Sequence, residues 1–256
     1  MGKFDGILLA TDFDGTLYYN SEITEENLSA IEYFTSNGGK FTVCSGRYYK
    51  FLQGYSEQLN INTYMICYNG AYILDVKSGE VLHKGFCDGY LFDLIDLLIG
   101  SDLKYENVSF YTDDSDEPIM IDIKDYPERK NEFINKRIYK VLFRALTPED
   151  AISGAEMIDP VLGEYIAVRS WDISLELMKR ENAKGQAIRR VGEKLGARLI
   201  VAVGDYENDI EMIKDADIGY AVENSCDKLK AVADIITCHA KDSAIAKIIS
   251  ELEKYL

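Results

Sequence analysis

Apolar and polar positions follow two different rhythms along this chain. Gly6 to Ala10 is a short, continuous apolar run ending in acids, the pattern of a strand buried on both faces of a parallel sheet. Thr24 reads as a helix N-cap, with Glu25 and Glu26 favourable in the first turn. Leu28, Ile31 and Phe34 recur at helical spacing, and Asn37-Gly38-Gly39 stops that helix. Phe41–Cys44 predicts the next strand, Arg47–Gln58 a helix and Tyr64–Tyr68 a third strand. This β-α-β-α-β order predicts a parallel sheet with right-handed crossovers.

The middle of the chain changes rhythm. Ala71–Leu74 and Val81–Lys84 flank Lys77-Ser78-Gly79 as a hairpin, and Leu91, Leu94, Ile95 and Leu98 mark an amphipathic helix. Strands are expected at Val108–Thr112, Ile119–Ile123, Ile138–Phe143, Tyr165–Val168 and Ile173–Leu177, with one helix at Pro148–Ile158. Adjacent hairpin strands with few helices imply an antiparallel α+β unit. Alternation resumes after Lys184. Helices are expected at Gly185–Leu195, Ile210–Lys214, Lys228–Ala233 and Ser243–Tyr255, and strands at Leu199–Val203, Ile218–Val222 and Ile235–Ile236. The simplest organisation is an α/β, Rossmann-like parallel-sheet core made of residues 1–80 and 181–256, with an α+β domain of residues 81–180 inserted.

Composition removes several classes. The net charge of −16 argues against nucleic-acid and anionic-membrane partners, which demand basic patches. No apolar run approaches the roughly 20 residues of a membrane span, and the N-terminal stretch has no secretory pattern. Five cysteines without a C-x-x-C pair indicate neither a disulfide framework nor a zinc site, so reduced thiols and a cytoplasmic location are expected. His83 and His239 are isolated and read as structural or surface residues.

Chemistry concentrates at expected strand ends. In Thr11-Asp12-Phe13-Asp14-Gly15-Thr16 a buried strand ends in two carboxylates and a glycine, at the edge of the sheet where open α/β folds bind ligands. Val203-Gly204-Asp205-Tyr206-Glu207-Asn208-Asp209 ends another strand the same way. If the two ends share a crevice, Asp12, Asp14, Asp205 and Asp209 need a cation, and an all-oxygen set suits Mg²⁺. Ser45-Gly46-Arg47 and Lys184-Gly185 each open an expected helix and supply hydroxyl, amide and cationic groups for an anion.

Together the segments D-x-D-G-T, S-G-R, K-G and G-D-x-x-N-D, in that order, resemble the haloacid dehalogenase superfamily, and within it the Cof-like phosphatases with an α/β cap. Glu211-Met212 and Ala221 to Ser225 are similar to that family's C-terminal stretch, so the resemblance covers nearly the whole chain. It implies a phosphatase acting on a small phosphorylated metabolite, such as a sugar phosphate. Asp12 would be the nucleophile and Asp14 the general acid and base. Mg²⁺ would be held by Asp12, the Asp14 carbonyl and Asp205, with Asp209 and Asn208 in support. Ser45, Gly46, Arg47 and Lys184 would hold the phosphate, and Asn69-Gly70 would lead toward the cap, the inserted domain. A phosphomutase shares these aspartates, and a non-catalytic phosphate sensor could retain the fold. Lys241 to Ala244 departs from the family's acidic-glycine segment, and Glu181-Asn182-Ala183 from its apolar approach to the lysine.

Overall fold

The elements run β1 (Ile7–Thr11), α1 (Glu25–Ser36), β2 (Lys40–Val43), α2 (Tyr49–Gln53), β3 (Tyr64–Cys67), β4 (Tyr72–Asp75) and β5 (Val81–Lys84). Next come α3 (Tyr90–Ile99), β6 (Tyr105–Thr112), β7 (Ile119–Asp122), α4 (Tyr126–Arg129), β8 (Ile138–Ala145), α5 (Pro148–Ile158), β9 (Tyr165–Val168) and β10 (Ser174–Lys179). The chain closes with α6 (Lys184–Leu195), β11 (Leu199–Gly204), α7 (Ile210–Asp215), β12 (Ile218–Ala221), α8 (Asp227–Lys230), β13 (Ile235–Ile236) and α9 (Ala244–Leu252). These coordinates are a computed structural model and describe residues 2–255. They divide into two units. The first takes the chain up to Arg47, Phe51–His83 and everything from Ala183 onward, and the second takes Tyr48–Lys50 and Lys84–Asn182.

The first unit is built on a five-stranded parallel sheet ordered β13-β12-β11-β1-β2. All five residues of β1 are buried, as its apolar run requires of an interior strand in a sheet covered on both faces. Leu8, Ala10, Ala202 and Ala221 form one core with Ala187, Ile188 and Val191 of α6 and Met212 and Ile213 of α7. Helices α1 and α9 pack together, tied by Asn27 Oδ1, which accepts from the Ala246 N–H at 3.0 Å. Thr24 caps α1 by accepting from the Asn27 N–H, and Glu25 and Glu26 occupy the first turn.

The third expected strand departs from the sequence reading. β3 belongs to a separate three-stranded sheet, ordered β3-β4-β5, and meets the parallel sheet at a parallel bridge, Cys44 to Ile66, and where Thr42 Oγ1 donates to the Tyr64 carbonyl at 2.6 Å. The cause is local. Tyr68 (φ 51°), Asn69 (φ 60°) and Gly70 (φ 120°) all adopt positive φ, so the chain folds straight back as β4, antiparallel to β3. The helix expected over 47–58 is also short. After Gln53 the Gly54, Tyr55 and Ser56 N–H groups bond three residues back, as the weak helix former Gly54 favours.

The second unit is an antiparallel sheet, β7-β6-β8-β10-β9. Val108, Phe110, Val141, Phe143, Leu175 and Leu177 on one face form a core with α3 and α5. The alternate positions carry Asn107, Ser109, Lys140, Ser174 and Glu176, all nearly inaccessible to solvent, with Lys140 paired to Glu176. Residues 123–137, where no periodicity is legible, hold only short helical turns and α4 with Pro127 near its start. Among the described residues no helix is long and apolar enough to cross a membrane.

Candidate active site

The ends of β1 and β11 lie side by side because these strands are neighbours, in register from Ile7 opposite Leu199 to Thr11 opposite Val203. The Asp12 N–H extends the pairing by donating to the Val203 carbonyl at 2.8 Å. The chain then turns. The Leu17 and Tyr18 N–H groups both donate to the Phe13 carbonyl, and Gly15 N–H to the Tyr18 carbonyl. Gly15 is required here on two counts. Its φ is +82°, and a β-carbon on it would fall 2.3 Å from Asp205 Oδ2.

Asp12, Asp205 and Asp209 each offer a carboxylate oxygen within 4.8 Å of the others. Lys184, the first residue of α6, is buried and donates to Asp12 Oδ1 at 2.5 Å and to Asp209 Oδ1 at 2.6 Å. The second oxygen of Asp209 accepts from the Asp205 N–H at 2.9 Å and the Tyr206 N–H at 3.3 Å. Asp209 therefore works as a bracket, holding the loop after β11 in place and steadying the lysine. Asp205 is more open and accepts from Thr16 Oγ1 at 3.1 Å.

The electrostatics are those of a negative cluster with too little counter-charge. Burial pushes the Asp12 carboxyl well above the usual carboxylate range, Lys184 pulls it down, and Asp209 and Asp205 add to the rise. Burial and then the charge of Asp209 push Asp205 up to about 7. Burial acts to lower Lys184, but Asp12 and Asp209 overcome it and hold the ammonium well above its ordinary value. One ammonium among three carboxylates leaves a net excess of negative charge, carried entirely by hard oxygen donors. That donor set fits a divalent cation such as Mg²⁺.

A measurable consequence follows for stability. A carboxyl raised in the folded protein binds its proton more tightly there than in the unfolded chain, so metal-free stability falls as pH rises from the unfolded value of about 3.9 through about 7. Asp205→Asn is therefore expected to raise the metal-free melting temperature by a few degrees at about pH 8 and to lose the gain near pH 4. Melting curves at both pH values check this, and a lower melting temperature at pH 8 would contradict it.

The remaining sequence-derived residues surround this cluster. Ser45 is buried, and its N–H donates to the Ile66 carbonyl at 3.0 Å. Its hydroxyl accepts from the Arg47 N–H at 3.2 Å. Gly46 lies between them, ahead of α2. Arg47 sends its guanidinium to Asp14, with Nε to Oδ2 at 2.8 Å and Nη2 to Oδ1 at 2.7 Å. Asn208 donates from Nδ2 to Asn69 Oδ1 at 3.4 Å.

Two segments singled out by the family resemblance, Asn69-Gly70 and Ala221 to Ser225, prove to support the site in ways the sequence did not assign. Tyr68 and Asn69, in left-handed backbone, donate their N–H groups to the Arg47 and Ser45 carbonyls and so lock that loop. Asn224 donates from Nδ2 to the Gly15 carbonyl at 2.8 Å while its Oδ1 accepts from the Ala240 N–H. The Asn-Gly pair signals the first. The second lies in the marked stretch Ala221 to Ser225, but nothing local signals its partner.

Fold and site define a class, and the comparisons agree with it. Residues 9–249 match the haloacid dehalogenase-like hydrolases, and the chain belongs to that family. It is similar to YxeH of Bacillus subtilis (strain 168), provisionally named as a phosphatase, at 30% identity over 96% of this chain and 97% of that protein. A second relative in the same organism, 5-amino-6-(5-phospho-D-ribitylamino)uracil phosphatase YitU, is 25% identical over 95% of this chain and 96% of its own. Among solved structures, the sugar phosphatase BT4131 superimposes with a TM-score of 0.76 over 96% of this chain and 98% of that one, at 18% identity. The enzyme class is that of a phosphatase of this family.

Proposed function

We propose that the protein is a Mg²⁺-dependent phosphatase that hydrolyses a small phosphorylated metabolite, a sugar phosphate or a close relative, through an aspartyl-phosphate. The observation that carries this reading is the Asp12 carboxylate, seated at the end of the interior strand β1 against Lys184 and beside Asp205. Asp12 forms the new O–P bond, an attack for which a carboxylate needs no separate base. Asp14 gives a proton to the leaving oxygen and then takes one from the water that opens the intermediate. Lys184, Ser45 and the Gly46 amide face the phosphate oxygens and stabilise charge as it develops. Asp209 and Asn208 hold the loop that presents Asp205.

Asp12, Asp205 and the Asp14 carbonyl would hold the cation, with Asp209 close by. When bound, Mg²⁺ offsets the repulsion between an anionic nucleophile and a phosphate dianion. The inserted unit would serve as the cap that selects the leaving group, a role that rests on the family resemblance and on the need to exclude water. Sugar and sugar-alcohol phosphates are favoured because BT4131 and YitU are named for such substrates.

The deciding experiment is phosphate release from an aryl phosphate and from a panel of sugar phosphates, with Mg²⁺ and with chelator. Release is expected to need the metal and to fall to background when it is chelated. Undiminished release in chelator would refute the metal-assisted reading. Isomerisation of a sugar phosphate without release of phosphate would make the enzyme a mutase.

A further inference from the structure

We infer that Arg47 is a positioning residue for Asp14, acting on the reaction through that carboxylate and not as a ligand of the phosphate. The inference rests on the acid role of Asp14 proposed above. A single planar guanidinium engages both oxygens of Asp14, Nε to Oδ2 at 2.8 Å and Nη2 to Oδ1 at 2.7 Å. The guanidinium is itself seated, with its Cζ 4.6 Å from the centroid of the Phe51 ring.

Phe51 stands edge-on to Phe13 at 5.9 Å and leans on Tyr55 at 5.5 Å, and Phe13 stacks on Tyr18 at 5.0 Å. Phe13 is the residue between Asp12 and Asp14, and it is fully buried. One aromatic cluster thus anchors the backbone of the aspartate loop and, through Arg47, the side chain at its far end.

The energetics favour orientation over fold stability. The side chains of Arg47 and Asp14 are 44% and 42% exposed, and ion pairs this open contribute little to stability. A carboxylate so exposed would otherwise rotate freely in water. The fork removes that freedom, and the Arg47 N–H bond to Ser45 Oγ fixes the base from which the fork is cast. In the reaction the P–O bond to the leaving group breaks as the bond from Asp12 to phosphorus forms. The electron pair moves onto the leaving oxygen, which takes a proton that Asp14 has first picked up from solvent on the oxygen one arm of the fork releases. One arm of the fork opens for this transfer, and the other keeps the carboxyl on line.

The test is a series of aryl phosphates of rising leaving-group pKa, ending in an alkyl phosphate, with the Mg²⁺-loaded full chain. Arg47→Lys keeps the charge and removes the fork. It is expected to stay within about twofold of wild type on the best leaving group and to fall on the order of tenfold to a hundredfold on the poorest, which steepens the leaving-group dependence. Phe51→Leu, which leaves both charges in place, is expected to move the slope in the same direction by less. It decides the matter should Arg47→Lys fail to fold. A loss of equal size across the series would make Arg47 a phosphate ligand and overturn the inference, as would an unchanged slope. Asp12→Asn, run in parallel, separates the two readings. If it retained turnover, the phosphatase mechanism itself would fail, whatever the slope.

Discussion

Asp12→Asn is expected to abolish phosphate release, by on the order of 10⁴-fold or more, in a protein that stays folded. An amide has almost the shape of the carboxylate but no anionic oxygen with which to attack phosphorus, so the first step has no nucleophile. Folding should not suffer. The carboxyl it replaces is already disfavoured by burial and by Asp209 and Asp205, and the amide oxygen can still accept from Lys184. Rapid-quench mass spectrometry should show a phosphorylated protein for wild type and none for the variant, and melting curves should overlay or improve. Activity above about one per cent of wild type would remove Asp12 from the chemistry.

Lys184→Met is expected to lose both activity and fold stability. Lys184 is the counter-ion of two buried carboxylates, and removing it leaves Asp12 and Asp209 facing each other with no cation between them. Breaking a buried pair by deleting one partner costs about 3–5 kcal/mol, which for a chain of this size is a drop of roughly 10 °C in melting temperature. The deficit should shrink as pH falls, because the stranded carboxylates then take up protons. Added Mg²⁺ should restore part of it near neutral pH. A variant melting like wild type at neutral pH would mean that the lysine is not the counter-ion of this cluster.

These expectations trace back to features the sequence displays unequally. Asp12, Asp14, Asp205 and Asp209 are legible because each sits within a few residues of an apolar strand, and strand-then-acid is a local pattern. The two halves of the parallel sheet were legible for the same reason. β3 was legible as a strand, but its antiparallel partner was not, because that pairing is decided by the left-handed backbone at Tyr68 and Asn69, of which the Asn-Gly pair is a weak sign. The short α2 turns on one glycine, Gly54, whose cost to a helix is small enough that neighbouring residues usually override it. The fork from Arg47 to Asp14 links residues 33 apart and depends on a rotamer resting on Phe51, a choice made only after packing. Asn224 lies in a stretch that the family resemblance marks, but its reach to the Gly15 carbonyl, 209 residues away, is not legible locally.

The pairing of β1 with β11 sets an order of events during synthesis. β1 leaves the ribosome early, with β2 to bond on one flank, but its other flank waits until Leu199–Gly204 has been translated. At about 5–20 residues per second that interval is roughly ten to forty seconds. Throughout it a largely apolar strand has an open edge, the kind of surface chaperones recognise and aggregates recruit. Lys184 emerges shortly before the interval ends and Asp205 and Asp209 just after it, so the carboxylate cluster cannot be complete until β11 has joined β1. The centre comes into being only when the last strands close the sheet.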